Sequence, residues 1–85
     1  MLVNVPRLTH VEAARPHFLH LTYETGERKR FDASRYIMGS WFGELGDYSY
    51  FKTVRLIEDG EYIEWPHGQD LAPHELYERS IPIEQ

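Results

Sequence analysis

The chain has 85 residues, of which 41% are hydrophobic and 27% charged, with a formal net charge of −5 and no cysteine. This length permits one small domain with a thin core, too apolar for intrinsic disorder, and the missing cysteines exclude disulfides, thiolate metal sites and a Cys nucleophile. No apolar run approaches the roughly 18–20 residues of a bilayer span, and the acidic balance opposes a generic grip on phosphate backbones.

The opening MLVNVPRL has no apolar leader core, so no signal peptide is expected and the cytoplasm is the expected compartment. Arg7–Ala14, with β-branched Thr9 and Val11, predicts a first strand that stops at Arg15-Pro16. His17–Tyr23 alternates, with Leu19, Leu21 and Tyr23 on one face and Phe18, His20 and Thr22 on the other. Glu24–Glu27, with Gly26 for a positive φ, then joins a return strand, Arg28–Phe31. Asp32 is placed to cap a helical turn over Ser34–Met38, which Gly39 would end. Trp41 and Phe42 sit between Gly39 and Gly43, and Asp47 is placed to cap a second turn, Tyr48–Lys52.

Thr53–Glu58 and Glu61–Trp65 predict a second hairpin around Asp59-Gly60, with Ile63 and Trp65 inward. Trp65-Pro66-His67-Gly68 has the residue order of a type I turn. Asp70 is expected to cap a helix over Leu71–Ser80 that carries Pro73 in its first turn and is closed by Ile81-Pro82-Ile83. The fold class expected is α+β: two β-hairpins forming a small, mainly antiparallel sheet, short helical turns between them, and one C-terminal helix packed on the sheet. No repeat or linker divides the chain, so residues 1–85 are read as one domain.

Few residues carry a chemical signature. The five histidines do not form a spacing that brings ligands together: His17 and His20 fall on opposite faces of a strand, and a zinc site needs three or four convergent ligands. The fourteen carboxylates include no pair whose proximity the sequence fixes, and no serine lies in a G-x-S-x-G elbow. Neither G-x-x-x-x-G-K-[ST] nor G-x-G-x-x-G occurs. The basic run Arg28-Lys29-Arg30 puts Arg28 and Arg30 on one solvent face, able to meet a phosphate or a carboxylate-bearing partner, or simply to guard a strand edge. Aromatics make up 14%, more than so thin a core can bury, so some are expected at an interface.

The stretch Trp65–Tyr77, WPHGQDLAPHELY, taken with the two hairpins, resembles a small bacterial family known as domain of unknown function twenty-four forty-two. Its first block falls here on Leu21, Tyr23, Gly26, Glu27, Arg28, Phe31 and Asp32, with Tyr23 where phenylalanine is usual. Its second falls on Phe51, Val54, Gly60, Ile63, Trp65, Pro66, Gly68, Asp70, Leu71, Pro73, Leu76 and Tyr77, with His67 in place of the commoner asparagine. The resemblance spans about residues 7–82. It implies a small α+β domain with no catalytic residues to carry over. Some relatives continue into a helix-turn-helix DNA-binding domain, which is not expected in a chain ending at Gln85, and small stand-alone members are often encoded beside another short protein, as toxin–antitoxin pairs are.

The expected function is therefore a non-enzymatic protein–protein interaction or regulatory module, antitoxin-like, needing no cofactor or metal. Its partner would be a small protein or a second copy, with neither membrane nor sequence-specific nucleic acid. The alternatives are a small ligand- or metal-binding protein, and a regulatory domain related to those fused to helix-turn-helix modules. Trp41, Phe42, Tyr48, Tyr50, Arg28 and Arg30 are the candidate contact residues. Trp65, Pro66, Gly68, Asp70, Leu71, Pro73, Leu76 and Tyr77 are expected to serve the fold as turn, cap and core.

Overall fold

The computed structural model describes residues 5–83, so part of the N-terminal stretch read for a leader lies outside the described residues. The alternating apolar residues form strands as their pattern requires. β1 (Leu8–Ala14), β2 (Phe18–Tyr23) and β3 (Arg28–Asp32) make an antiparallel meander. Leu19, Leu21, Tyr23 and Phe31 are buried on its inner face, while Arg28, Arg30 and Asp32 are exposed on the outer one. Gly26 takes φ +93° in the first hairpin, as its place in the turn demands.

Two short polar caps organise the middle. The Asp32 carboxylate accepts from the Ser34 amide at 2.9 Å and starts a 3₁₀ turn over Ala33–Tyr36. Asp47 does the same for Ser49 at 3.0 Å, ahead of the helical turn α2 (Tyr48–Phe51). Between them lie α1 (Gly39–Phe42) and a 3₁₀ turn over Gly43–Gly46. Gly39 departs from expectation. The first turn has already closed by Ile37, whose amide reaches Ser34, and Gly39 opens the next turn at φ +75°.

The second hairpin pairs β4 (Arg55–Ile57) with β5 (Tyr62–Glu64). β4 is shorter than its apolar pattern because the amides of Thr53 and Val54 turn back to Tyr50 and Phe51. The loop is also longer than the two residues read from Asp59-Gly60. Glu58, Asp59 and Gly60 are all left-handed, and the Gly60 and Glu61 amides both return to the Ile57 carbonyl.

Beyond the Trp65 turn the chain departs most from its expected form. Asp70 does not cap a helix: Asp70–Leu71 forms β6, with Asp70 opposite Glu64 and Leu71 opposite Ile63. Leu71 therefore reaches the core from a strand rather than a helix. α3 (Pro73–Arg79) starts behind Ala72, which offers no side-chain cap, and Pro73 sits in the first turn where its missing amide costs nothing. Ile81-Pro82 forms β7, antiparallel to β3.

The domain is α+β, and its strands divide into two antiparallel sheets, ordered β1-β2-β3-β7 and β4-β5-β6. Both contribute to one core with Trp65, Phe51, Leu45, Ala33 and, from α3, Leu76. The role change at Asp70 has a measurable consequence. Asp70→Ala should move urea stability by less than about 0.5 kcal/mol, the usual size for an exposed site, whereas Asp47→Ala should cost about 0.5–2 kcal/mol as a lost cap. Equal losses in the two variants would contradict these assignments.

Candidate functional site

The turn at residues 65–69 is built on a buried base. Trp65 is fully buried, its ring stacks on Phe51 at 5.6 Å, and its Nε1 donates to the Phe51 carbonyl at 2.7 Å. The Trp65 amide donates to the Gln69 carbonyl and the Gly68 amide to the Trp65 carbonyl, both at 2.8 Å. Pro66, His67 and Gly68 thus project into solvent from a closed loop, with Gly68 at φ +100°.

Gln69 ties this loop to the middle of the chain. It is fully buried, and its Nε2 donates to the Trp41 carbonyl at 3.0 Å and to Glu44 Oε1 at 2.8 Å. Its Oε1 accepts from the Tyr50 hydroxyl at 2.6 Å, and that hydroxyl accepts from the His67 amide at 2.9 Å. Glu44 Oε2 lies 2.8 Å from His67 Nδ1, and the His67 ring stacks on Tyr50 at 5.0 Å. A buried amide with its hydrogen bonds filled is a rigid joint, because each lost partner would leave a polar group unpaired.

Above this joint lies an apolar patch. The Trp41 ring packs over Gly68, with a Cβ there falling 3.7 Å from Trp41 Cζ2, yet Trp41 stays 53% exposed. Met38, one turn earlier, is 68% exposed. Large apolar side chains left in solvent over a fixed base are the usual material of interaction sites.

The candidate contact residues fall in separate places. Trp41 and Tyr50 are brought together at this turn. Phe42 is half-buried against the core. Tyr48 faces another way: its hydroxyl donates to the Ala13 carbonyl at 3.2 Å, and the Arg15 guanidinium lies 4.2 Å from its ring centroid. Arg28 and Arg30 stand on the outer face of β3. Met38, Glu44, His67 and Gln69 are the members that sequence reasoning did not single out. Gln69 carried no local signal, because it lies just before a strand, Asp70–Leu71, where the sequence reads the start of a helix.

A second polar corner joins α3 to the first sheet. Lys29 is buried, its Nζ donating to the Tyr77 carbonyl at 2.5 Å and lying 4.0 Å from the Tyr77 ring centroid. The Tyr77 hydroxyl donates to Glu27 at 2.8 Å, and its ring meets Tyr23 edge-on at 5.1 Å. Burial pushes the Tyr23 hydroxyl well above its ordinary value, and that hydroxyl has no partner among the described residues. Among the described residues no three His, Asp or Glu side chains are placed to hold a metal ion, and no helix is long and apolar enough to cross a membrane.

The family model described as a protein of unknown function, DUF2442, matches residues 8–82. The chain belongs to the DUF2442 family. The matched span takes in both sheets, the Trp65 turn and α3, so the joint at Gln69 and the corner at Lys29 lie within the DUF2442 region. No curated protein and no solved structure matches the chain.

The carboxylates of these two clusters give the fold a pH signature. Hydrogen bonds from His67 and then Gln69 hold Glu44 below its ordinary value, and those from Tyr77 and then Thr25 do the same for Glu27. An acid whose folded pKa is lowered stabilises the fold above its unfolded value, about 4.3 for Glu, and that stability is lost as pH falls through the folded pKa. Thermal melts should therefore show their steepest loss of Tm below about pH 4.5. Glu44→Gln should remove part of that slope, and an unchanged slope would count against the Glu44 contacts.

Proposed function

We propose that this DUF2442 chain is a non-enzymatic protein–protein interaction module, antitoxin-like in being the regulatory partner of another small protein. Its contact face is the Met38–Trp41 segment lying on the Trp65–Gln69 turn. One observation carries this reading: Trp41 is left half in solvent over a turn whose underside is fixed by Gln69. A preformed aromatic anchor binds without first being ordered, which conserves affinity. The polar groups beside it support a binding role rather than turnover. Gln69 and Tyr50 are spent on one another, and both Glu44 oxygens are engaged by His67 and Gln69. The partner would meet this face with an apolar pocket large enough for an indole.

The test is co-purification from the native host with tagged wild type and Trp41→Ser. Because the ring is half exposed, the variant should keep its fold, with a stability loss below about 1–2 kcal/mol. It should lose a stoichiometric protein partner that wild type retains. Recovery of the same partner by both, or of none by wild type, would reject the assignment.

A further inference from the structure

The outer face of the four-stranded sheet takes no part in the core. Strand register fixes which side chains share it. Its middle row runs Glu12, His20, Arg30; the row on one side pairs Phe18 with Asp32, and the row on the other runs His10, Thr22, Arg28. The residues between them on β2 and β3, Leu19, Leu21, Lys29 and Phe31, are buried on the opposite face. The charges on this outer face cancel, the carboxylates of Glu12 and Asp32 against the guanidinium groups of Arg28 and Arg30, on a chain whose net charge is −5. An antiparallel sheet can leave such a face to water when it is polar, but Phe18 sits on it, outside the core, with the Arg30 guanidinium 4.9 Å from its ring centroid. Glu12 and Arg30 stand on either side of His20, about 9.5 Å apart at two strand spacings. Neither has an ion-pair partner among the described residues.

We infer that this face is a contact between two copies of the chain, packed sheet against sheet about a two-fold axis that runs along β2. Two chains of charge −5 repel each other, so a self-contact has to use a face without net charge, and this one qualifies. The charge layout selects the axis. Rotation about β2 sets β1 over β3 of the second copy and keeps each row on itself. Glu12 then meets Arg30 of the second copy and Arg30 meets its Glu12, two reciprocal pairs across sheets about 10 Å apart. Phe18 and His20, on the axis, each meet their own counterpart. Arg28 meets His10 and Asp32 meets Ala14, so no carboxylate faces a carboxylate and no guanidinium a guanidinium. Other axes fail this test. A two-fold across the strands through the middle row sets Glu12 on Glu12 and Arg30 on Arg30. One moved between β2 and β3 sets Phe18 against Asp32 and leaves Glu12 opposite Ile81. The overlap is only three strands wide, the size of a weak and reversible interface.

Analytical ultracentrifugation of the full chain tests this, from about 1 μM to about 1 mM, a span that covers a weak complex. Wild type should form a dimer with a Kd on the order of tens of micromolar. Glu12→Arg and Arg30→Glu should each weaken it about tenfold or more, because each sets like charges across the contact. An equal mixture of the two variants should dimerise again, since every pair between the unlike chains is then of opposite sign. Trp41→Ser should dimerise as wild type does, which separates this contact from the Trp41 face. If either reversal fails to fold by circular dichroism, Glu12→Gln and Arg30→Gln replace the pair, each weakening the dimer about threefold or more with no recovery on mixing. A wild type that stays monomeric, a folded reversal that dimerises as well as wild type, no recovery in the mixed reversals, or loss of the dimer in Trp41→Ser each overturns the inference.

Discussion

Trp65→Ala should cost about 3–5 kcal/mol, the range for removing a fully buried large aromatic ring. The ring is enclosed completely, stacks on Phe51 and donates to the Phe51 carbonyl. Alanine therefore removes apolar contact area and the shorter of two hydrogen bonds to the Phe51 carbonyl, which keeps only the Val54 amide at 3.4 Å, two losses that act together. A small domain has stability on the order of 5 kcal/mol, so the variant should be largely unfolded at 37 °C. Urea melting monitored by circular dichroism measures this. Trp65→Phe is the informative companion: it keeps most of the apolar ring and loses the indole donor, and should fall between alanine and wild type. A Trp65→Ala protein with wild-type stability would mean that the turn does not rest on the core.

Gly60→Ala should be comparably damaging for a different reason. Gly60 has φ +89°, a region that L side chains rarely adopt, and a Cβ there would lie 1.9 Å from the Leu8 carbonyl oxygen. The obstacle is backbone, so no side-chain rotation relieves it. The Gly60 carbonyl in turn accepts the Leu8 amide at 2.8 Å, the hydrogen bond that ties the second hairpin's loop to β1. Backbone strain of this kind costs about 1–3 kcal/mol, and the shift needed to clear the clash should also break the Leu8 bond. Gly26→Ala is the control, since its φ is also positive but nothing lies within 4 Å of the added carbon. The Gly60 variant should melt at clearly lower urea than the Gly26 variant, and the reverse order would contradict the close approach of the loop to β1.

Local pattern made the first hairpin legible, because alternation at Leu19, Leu21 and Tyr23 and the turn glycine act within a few residues. The two aspartate caps at positions 32 and 47 were legible for the same reason. Asp70 was not. An aspartate ahead of an apolar segment suits a cap by its local chemistry, but pairing with Glu64 across the turn competes and decides the outcome. β7 was invisible in the same way: Ile81-Pro82 ends a helix locally, and only β3, fifty residues earlier in the chain, makes it a strand. At the site, the excess of aromatics pointed to Trp41 and Tyr50. Glu44 and Gln69, which join them, come together only through tertiary structure.

The strand order of the first sheet sets when it can be completed during synthesis. Three of its members lie within residues 8–32, and the fourth, β7, is residues 81–82. The ribosome adds about 5–20 residues per second, so the meander waits several seconds with its β3 edge unpaired. During that interval the inner faces of Leu19, Leu21 and Phe31 also lack the Trp65 and Leu76 side chains that later share their core. The nascent chain is thus exposed to aggregation until its last turn has emerged, and the arrival of α3 and β7 covers the core and the strand edge together.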